Sequence, residues 1–189
     1  MKMGRIMSLI NTTPDGFADS QYTIIDAEYF EFTHGLLSDT KTIAFGRNTF
    51  ELFQKRWPAI LDNKEAPAFQ VKMAKALNEK DKVAYSSTLK TTTWNNSTIV
   101  KKIDAGQIKS YRQDNKGGVL TIGSMSLVAA LTEMKLIDDY YFCIQPIIAG
   151  NGDTRLFDKI KLNWCLQLKY VNSLQLKSGV HIIHYQSAN

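Results

Sequence analysis

The sequence predicts an α/β fold built on a mainly parallel sheet, with antiparallel strands at one side. Two observations carry this. Short continuous apolar runs alternate with stretches of helical periodicity from the N-terminus to about residue 148, and strands that alternate with helices pair in parallel. Beyond that point the alternation breaks. Two extended stretches, 164–176 and 180–185, are joined through Lys177-Ser178-Gly179 and read as an antiparallel pair. A length of 189 residues, 44% apolar and 22% charged, suits one globular domain spanning 1–189. No internal repeat or Gly/Ser linker divides it.

The elements follow in order. RIMSLINTT (5–13) is a first strand, closed by the turn signal Pro14-Asp15-Gly16. Asp26 then reads as a helix N-cap, with Tyr29, Phe32 and Leu36 at helical spacing on the buried face. TIAF (42–45) is a short buried strand. The helix after it aligns Phe50, Phe53 and Trp57 and is expected to end at Pro58, because proline cannot supply the next helical N–H. Pro67 opens a further helix in which Phe69, Met73 and Leu77 recur every four residues. KVAYS (82–86) and STIVKK (97–102) are strands, and AGQIKSYRQ (105–113) is an amphipathic helix broken by Gly117-Gly118. VLTI (119–122) is a buried strand. It runs through Gly123-Ser124 into MSLVAALTEM, which carries Leu127, Val128, Leu131 and Met134 on one stripe. YYFCIQPII (140–148) is a long apolar strand whose Pro146 predicts an edge or a bulge.

The totals narrow the function classes. The net charge is +5, from 23 basic and 18 acidic residues, but the lysines are scattered and no block of five like charges occurs. That pattern argues against nucleic-acid binding, which calls for clustered basic residues with interleaved aromatics. No apolar run reaches the length of a membrane span and the N-terminus carries no signal-peptide core, so a cytoplasmic location is expected, with no membrane partner. Cys143 and Cys165 lie in apolar contexts with no second Cys or His at ligand spacing. They read as two buried thiols, with no metal.

Three strand exits share one chemistry. TIAF ends in Gly46-Arg47-Asn48-Thr49, KVAYS in Ser86-Ser87-Thr88, and VLTI in Gly123-Ser124. In a parallel sheet these exits lie along one edge, where ligands bind. A helix starting there offers unpaired N–H groups and about half a positive charge to an anion. Gly123 admits a pyrophosphate close to the backbone, and Arg47 with its neighbouring hydroxyls suits a second, peripheral phosphate. Two phosphate sites at separated exits describe a dinucleotide with an extra phosphate, as in NADPH. The GxGxxG fingerprint is absent.

The order of TTPDGF (12–17), FGRNTF (45–50), RWP (56–58), VAYSSTL (83–89), TIGSMSLVAAL (121–131), LIDDYYFCIQPIIAGNGDTRLF (136–157) and SGVHIIHY (178–185) resembles the dihydrofolate reductase-like superfamily. Within it, the chain is most similar to the C-terminal reductase domain of riboflavin-biosynthesis proteins and its stand-alone bacterial relatives. The resemblance implies a twisted, mostly parallel sheet flanked by helices, NADPH as cofactor and a homodimer. By position it implies Gly46, Arg47, Asn48 and Thr49 at the adenosine-side phosphates. Ser86 and Ser87 fall near the 2′-phosphate and adenine, and Ile122, Gly123, Ser124, Met125 and Leu127 at the pyrophosphate turn. Asn11 falls where the first strand meets the nicotinamide, and Asp15 in the turn bordering the active site, the two candidate catalytic residues. The 17–28 loop and the 150–157 segment are expected to shape the substrate pocket.

The sequence departs from its relatives at Pro14, which stands for an apolar residue before Asp-Gly, and at Gln145, which stands for a His before Pro. Dihydrofolate reductases keep a pterin-binding carboxylate on the first helix. Here Asp26 reads as a cap, and Glu28 and Glu31 as solvent-facing. The zinc signature of the pathway's deaminase is absent. The implied activity is hydride transfer to a pteridine- or pyrimidine-type small molecule. A non-catalytic nucleotide-binding or regulatory protein on the same fold stays open.

Overall fold

The structure is a computed structural model that describes residues 4–113, 117–158 and 160–188. Eight strands form one mixed sheet. They are β1 (Ile6–Thr12), β2 (Thr40–Gly46), β3 (Asp81–Tyr85), β4 (Ser97–Val100), β5 (Gly118–Ile122), β6 (Asp139–Ile144), β7 (Leu168–Gln175) and β8 (His181–Ser187). Their order across the sheet is β4-β3-β2-β5-β1-β6-β8-β7. All pairs from β4 to β6 are parallel, and β8 pairs antiparallel with both β6 and β7.

Two cores clothe the sheet. The helices α1 (Ala27–Ser38), α2 (Arg47–Asp62) and α3 (Ala68–Glu79) cover one face with Met7, Leu9, Ile43, Phe45 and Leu120. The helices α4 (Ala105–Gln113) and α5 (Met125–Glu133) cover the other with Ile6, Ile10, Ala44 and Val119. The alternation of Ile6/Ile10 against Met7/Leu9 is the period of a strand buried on both sides. In the first core, the rings of Phe45 and Phe50 meet edge-on at 5.9 Å, and Phe30 meets Trp57 in the same way at 5.7 Å. The helices of the second layer are shorter, α4 and α5 having nine residues each. At the far edge of the parallel region, Asp139 receives the Arg5 guanidinium and lies 2.8 Å from His184 Nε2, tying β1, β6 and β8 together.

Several expectations are corrected. Pro58 does not end α2, which runs on to Asp62. The lost N–H and the ring clash cost about 3 kcal/mol, and burial of Trp57 with packing of Ile60 against the core holds the last turn. Strand β6 stops at Ile144, before Pro146, and lies between β1 and β8, so the proline marks neither an edge nor a bulge. The buried stripe of α1 is Tyr29, Phe30, Thr33 and Leu37, leaving Phe32 and Leu36 half-buried, because α1 meets both the sheet and α3. Met134 lies past the end of α5 and is exposed, as is Cys165; Cys143 is buried. No helix among the described residues is long and apolar enough to cross a membrane, and no group of three or more metal-ligating side chains occurs there.

Candidate functional site

The insertion of β5 between β2 and β1 sets the carboxyl ends of β3, β2, β5, β1 and β6 side by side. Their exits are, in that order, Ser86-Ser87, Gly46-Arg47, Gly123-Ser124, Asn11 and Gln145. A cleft of about 1150 Å³ runs along this edge. It is lined by Asn11, Gly46, Arg47, Asn48, Thr49, Ser86, Ser87, Ile122, Gly123, Ser124, Met125 and Leu127, so the structure brings together every residue expected at the cofactor. The 17–28 loop and the 150–157 segment reach it too, through Asp19, Gln21, Thr23, Asp153 and Thr154.

The two helix starts at the centre are coupled. Gly46 is the N-cap position of α2 and Ser124 that of α5, and neither helix has a side-chain cap. The Ser124 hydroxyl instead accepts the Gly46 N–H at 2.9 Å. Gly123 and Ser124 are both left-handed, with φ of 64° and 58°. That turn aims the first N–H groups of α5 toward the cleft. A Cβ built on Gly123 meets only Thr49 Cγ2, at 4.0 Å, so its open side faces the cleft. Glycine supplies the first positive φ without penalty, whereas Ser124 bears about 1–2 kcal/mol of strain. Two uncapped helix N-termini sharing one opening form a cradle for a diphosphate, and the residues present fit a phosphorylated dinucleotide.

The peripheral positions differ in how free they are. The Arg47 side chain is half exposed and has a loose 3.8 Å contact with Glu51, leaving its guanidinium available. Ser87 is exposed. The Ser86 hydroxyl is already committed: it accepts the N–H groups of Thr88 (3.2 Å) and Leu89 (2.9 Å), which shapes the loop rather than a ligand contact.

At the other end, Asn11 Nδ2 donates to the Tyr29 hydroxyl at 2.8 Å, and Gln145 Nε2 donates to Asn11 Oδ1 at 3.0 Å. Burial pushes the Tyr29 phenol well above its ordinary range, so it stays protonated. Sequence reasoning took Tyr29 for core alone and Gln145 for a mere departure. The strand-exit logic applied to β6 would have found Gln145, the polar residue that follows that strand. The carboxylates of α1 all turn from the cleft. Asp26 caps Tyr29 N–H at 2.8 Å, Glu28 binds Lys177 at 3.1 Å, and Glu31 binds Lys72 at 3.0 Å.

Asp15 does not line the cleft. Its carboxylate accepts the N–H groups of Ala149 (3.1 Å) and Gly150 (2.7 Å). The Thr13 side chain and then these N–H groups hold its carboxyl at about 2, well below the ordinary 3.8. It is an ionised clamp between the Asp-Gly turn and the turn after β6, unsuited to carrying a proton near neutrality.

This sheet order, with a cleft along the parallel carboxyl ends, defines a dihydrofolate reductase-like protein. The chain belongs to the RibD C-terminal domain family, which it matches over residues 12–182. It is 24% identical over 189 residues to the uncharacterized protein YyaP of Bacillus subtilis (strain 168), spanning 98% of this chain and 96% of that one. Its fold is similar to that of a putative riboflavin biosynthesis protein from Shewanella sp. PV-4, with a TM-score of 0.71, 16% identity, and 98% and 99% of the two chains covered. It is also similar in fold to the dihydrofolate reductase of Enterococcus faecalis complexed with NADP(H) and RAB-propyl, with a TM-score of 0.64, 13% identity, and 99% and 98% covered.

The depressed Asp15 pKa fixes a sign. The native state binds fewer protons than the unfolded chain between pH 3.8 and about 2, so this stabilisation is present above the window and lost as pH falls through it. Asp15→Asn is expected to lower the urea midpoint at pH 7, with its deficit relative to wild type shrinking across that window. A deficit that stays constant down to pH 2 would sever Asp15 from acid lability.

Proposed function

We propose that this chain is an NADPH-dependent reductase acting on a pyrimidine- or pteridine-type small molecule. The observation that carries the reading is the pair of uncapped helix starts, joined by the Gly46 N–H···Ser124 bond, opening into the same cleft as the neutral polar array at Asn11. Membership of the RibD C-terminal family supports it, as does the fold shared with a reductase solved with NADP(H).

In this reading Ile122, Gly123, Ser124, Met125 and Leu127 hold the pyrophosphate. Gly46, Asn48 and Thr49 hold the adenosine side, and Arg47 with Ser87 takes the 2′-phosphate. Ser86 fixes the loop that presents Ser87. Bound NADPH supplies the hydride. The chain's own task is to hold the reacting ring near Asn11, to keep water out and to orient the hydroxyl or water that delivers the proton. Asp15 acts as a positioning residue.

A second reading, a non-catalytic nucleotide-binding protein, is favoured by the absence of any α1 carboxylate facing the cleft. NADPH oxidation followed by stopped flow, against dihydrofolate and a ribosylaminopyrimidine, separates the two. Turnover with at least one is expected. Tight NADPH binding with no oxidation across the panel would leave the second reading standing.

Arg47→Ala is expected to raise the NADPH dissociation constant at least tenfold and change NADH binding less than threefold, since one charge-assisted contact is worth about 1.5–3 kcal/mol. Equal effects on both cofactors would remove Arg47 from the 2′-phosphate.

We also propose a two-fold homodimer through β7, an edge strand on which Tyr170, Val171 and Leu174 are exposed. Light scattering is expected to give twice the mass of one chain, and a Tyr170→Lys/Leu174→Lys variant one mass. A wild-type chain that stays monomeric at high concentration rules the dimer out.

A further inference from the structure

The helices α1 and α2 both pack on α3, and the lining of the cleft continues from Asn11 and Tyr29 onto the inner faces of all three. This lobe has an apolar floor of Phe30, Phe53, Trp57, Met73 and Leu77. The Trp57 ring meets Phe30 at 5.7 Å and Phe53 at 6.0 Å, so the three rings form one continuous surface. The rim is apolar as well. Ile25 and Leu52 line the cleft and are 41% and 51% exposed. Large apolar side chains left in water around a concave apolar opening are the pattern of a ligand contact.

The polar groups of the lobe are already committed or closed off. The Thr33 hydroxyl donates to the Tyr29 carbonyl at 2.9 Å, and the Tyr29 hydroxyl accepts from Asn11 at 2.8 Å. The Trp57 indole N–H is buried within the wall, with no hydrogen-bond partner among the described residues. A sugar placed here would lose its water and find little to replace it. Charge points the same way. The loop after β1 and the 150–158 segment bring three carboxylates to the cleft, on Asp19, Asp153 and Asp158. Asp19 is held there by the N–H groups of Asp153 (3.1 Å) and Thr154 (3.3 Å). Among the described residues that line the cleft, the cations are Arg47, at the start of α2, and Arg56. Arg56 is exposed and lies over the Trp57 ring, 5.4 Å from its centroid. One exposed guanidinium facing three carboxylates is a poor seat for a second phosphate.

We propose that the lobe between α1 and α2 receives a bulky, uncharged, apolar group attached to the reacting ring, and that the substrate carries no phosphate. Phe30, Phe53 and Trp57 form the surface it rests on, and Ile25 and Leu52 close over its outer side. The carboxylates of the loop after β1 and the 150–158 segment discriminate against an anionic competitor, so the site selects by repulsion as well as by fit. This deepens the proposed reductase and rests on its placing of the reacting ring near Asn11.

The test reads binding, with one ring and two appendages. 6-(Benzylamino)uracil and 6-aminouracil bearing an N-linked ribose 5-phosphate are titrated by calorimetry into the full chain saturated with NADPH. Wild type is expected to bind the benzyl probe at least about tenfold more tightly. Leu52 is exposed, so Leu52→Lys leaves the core intact. It is expected to weaken the benzyl probe roughly fivefold and to strengthen the phosphorylated one, narrowing the gap from both sides. Arg56→Gln is expected to change the benzyl probe less than about threefold, since Arg56 offers this ligand its stem and no ion pair. Equal affinities, tighter binding of the phosphorylated probe, binding of neither probe, or a preference untouched by Leu52→Lys overturns the proposal. Should the preference hold while no substrate oxidises NADPH, the reductase reading fails alone. Should the phosphorylated compound alone be reduced, the lobe assignment fails and the reductase stands.

Discussion

The hydrogen bond from the Gly46 N–H to the Ser124 hydroxyl is the constraint on which the cleft depends. It is an ordinary bond, worth about 1 kcal/mol net, but it joins the starts of two helices that are 78 residues apart in the chain. By drawing the Ser124 side chain to Gly46, it takes away the cap that α5 would otherwise have. It also offsets part of the left-handed strain at Ser124. The two helix dipoles therefore end side by side with their N–H groups unclaimed by side chains, the condition for holding a polyanion. Bulk at Gly46 would press on this link, since an added Cβ would meet the Ser124 side chain at 3.4 Å.

The remainder of the molecule holds those two turns still. The strands of the cleft are buried on both faces, under two separate cores, so their ends have little freedom. The Asn11 end of the cleft is held differently, by polar links between elements distant in sequence. Asn11 and Gln145 are 134 residues apart, and Asp15 is 135 from Gly150. The first fastens strand β1, and the second the loop after it, to the turn after β6, which makes that end of the cleft a built wall. Its chemistry is neutral at Tyr29, Asn11 and Gln145, and ionised at the Asp15 clamp.

Much of this was legible in the chain. The strand-exit residues Gly46, Arg47, Ser87 and Gly123 were found from local pattern, because a buried run followed by Gly and hydroxyl residues records both the strand and its turn. The Asp26 cap was equally local, and its carboxylate accepts the Tyr29 N–H as expected. The failures were tertiary. Pro58 breaks an isolated helix, but Trp57 packed on Phe30 holds this one. Cys165 sits in an apolar stretch and is nevertheless exposed, while its neighbour Leu166 packs against the second core. Pro146 reads as an edge signal within an apolar run, yet the strand had ended two residues earlier.

The sequence by itself determined which segments are buried strands, which are helices and which turns present donors, since period, caps and glycine positions are properties of neighbouring residues. Only the tertiary structure decided that β5 enters between β2 and β1, that Asp15 is a clamp, and that Tyr29, read as core, ends a directed chain of hydrogen bonds. The physical reason is the same in each case. Pairing order and hydrogen-bond direction are set by partners brought together across the sheet, and no local pattern records which partner a buried polar group will meet.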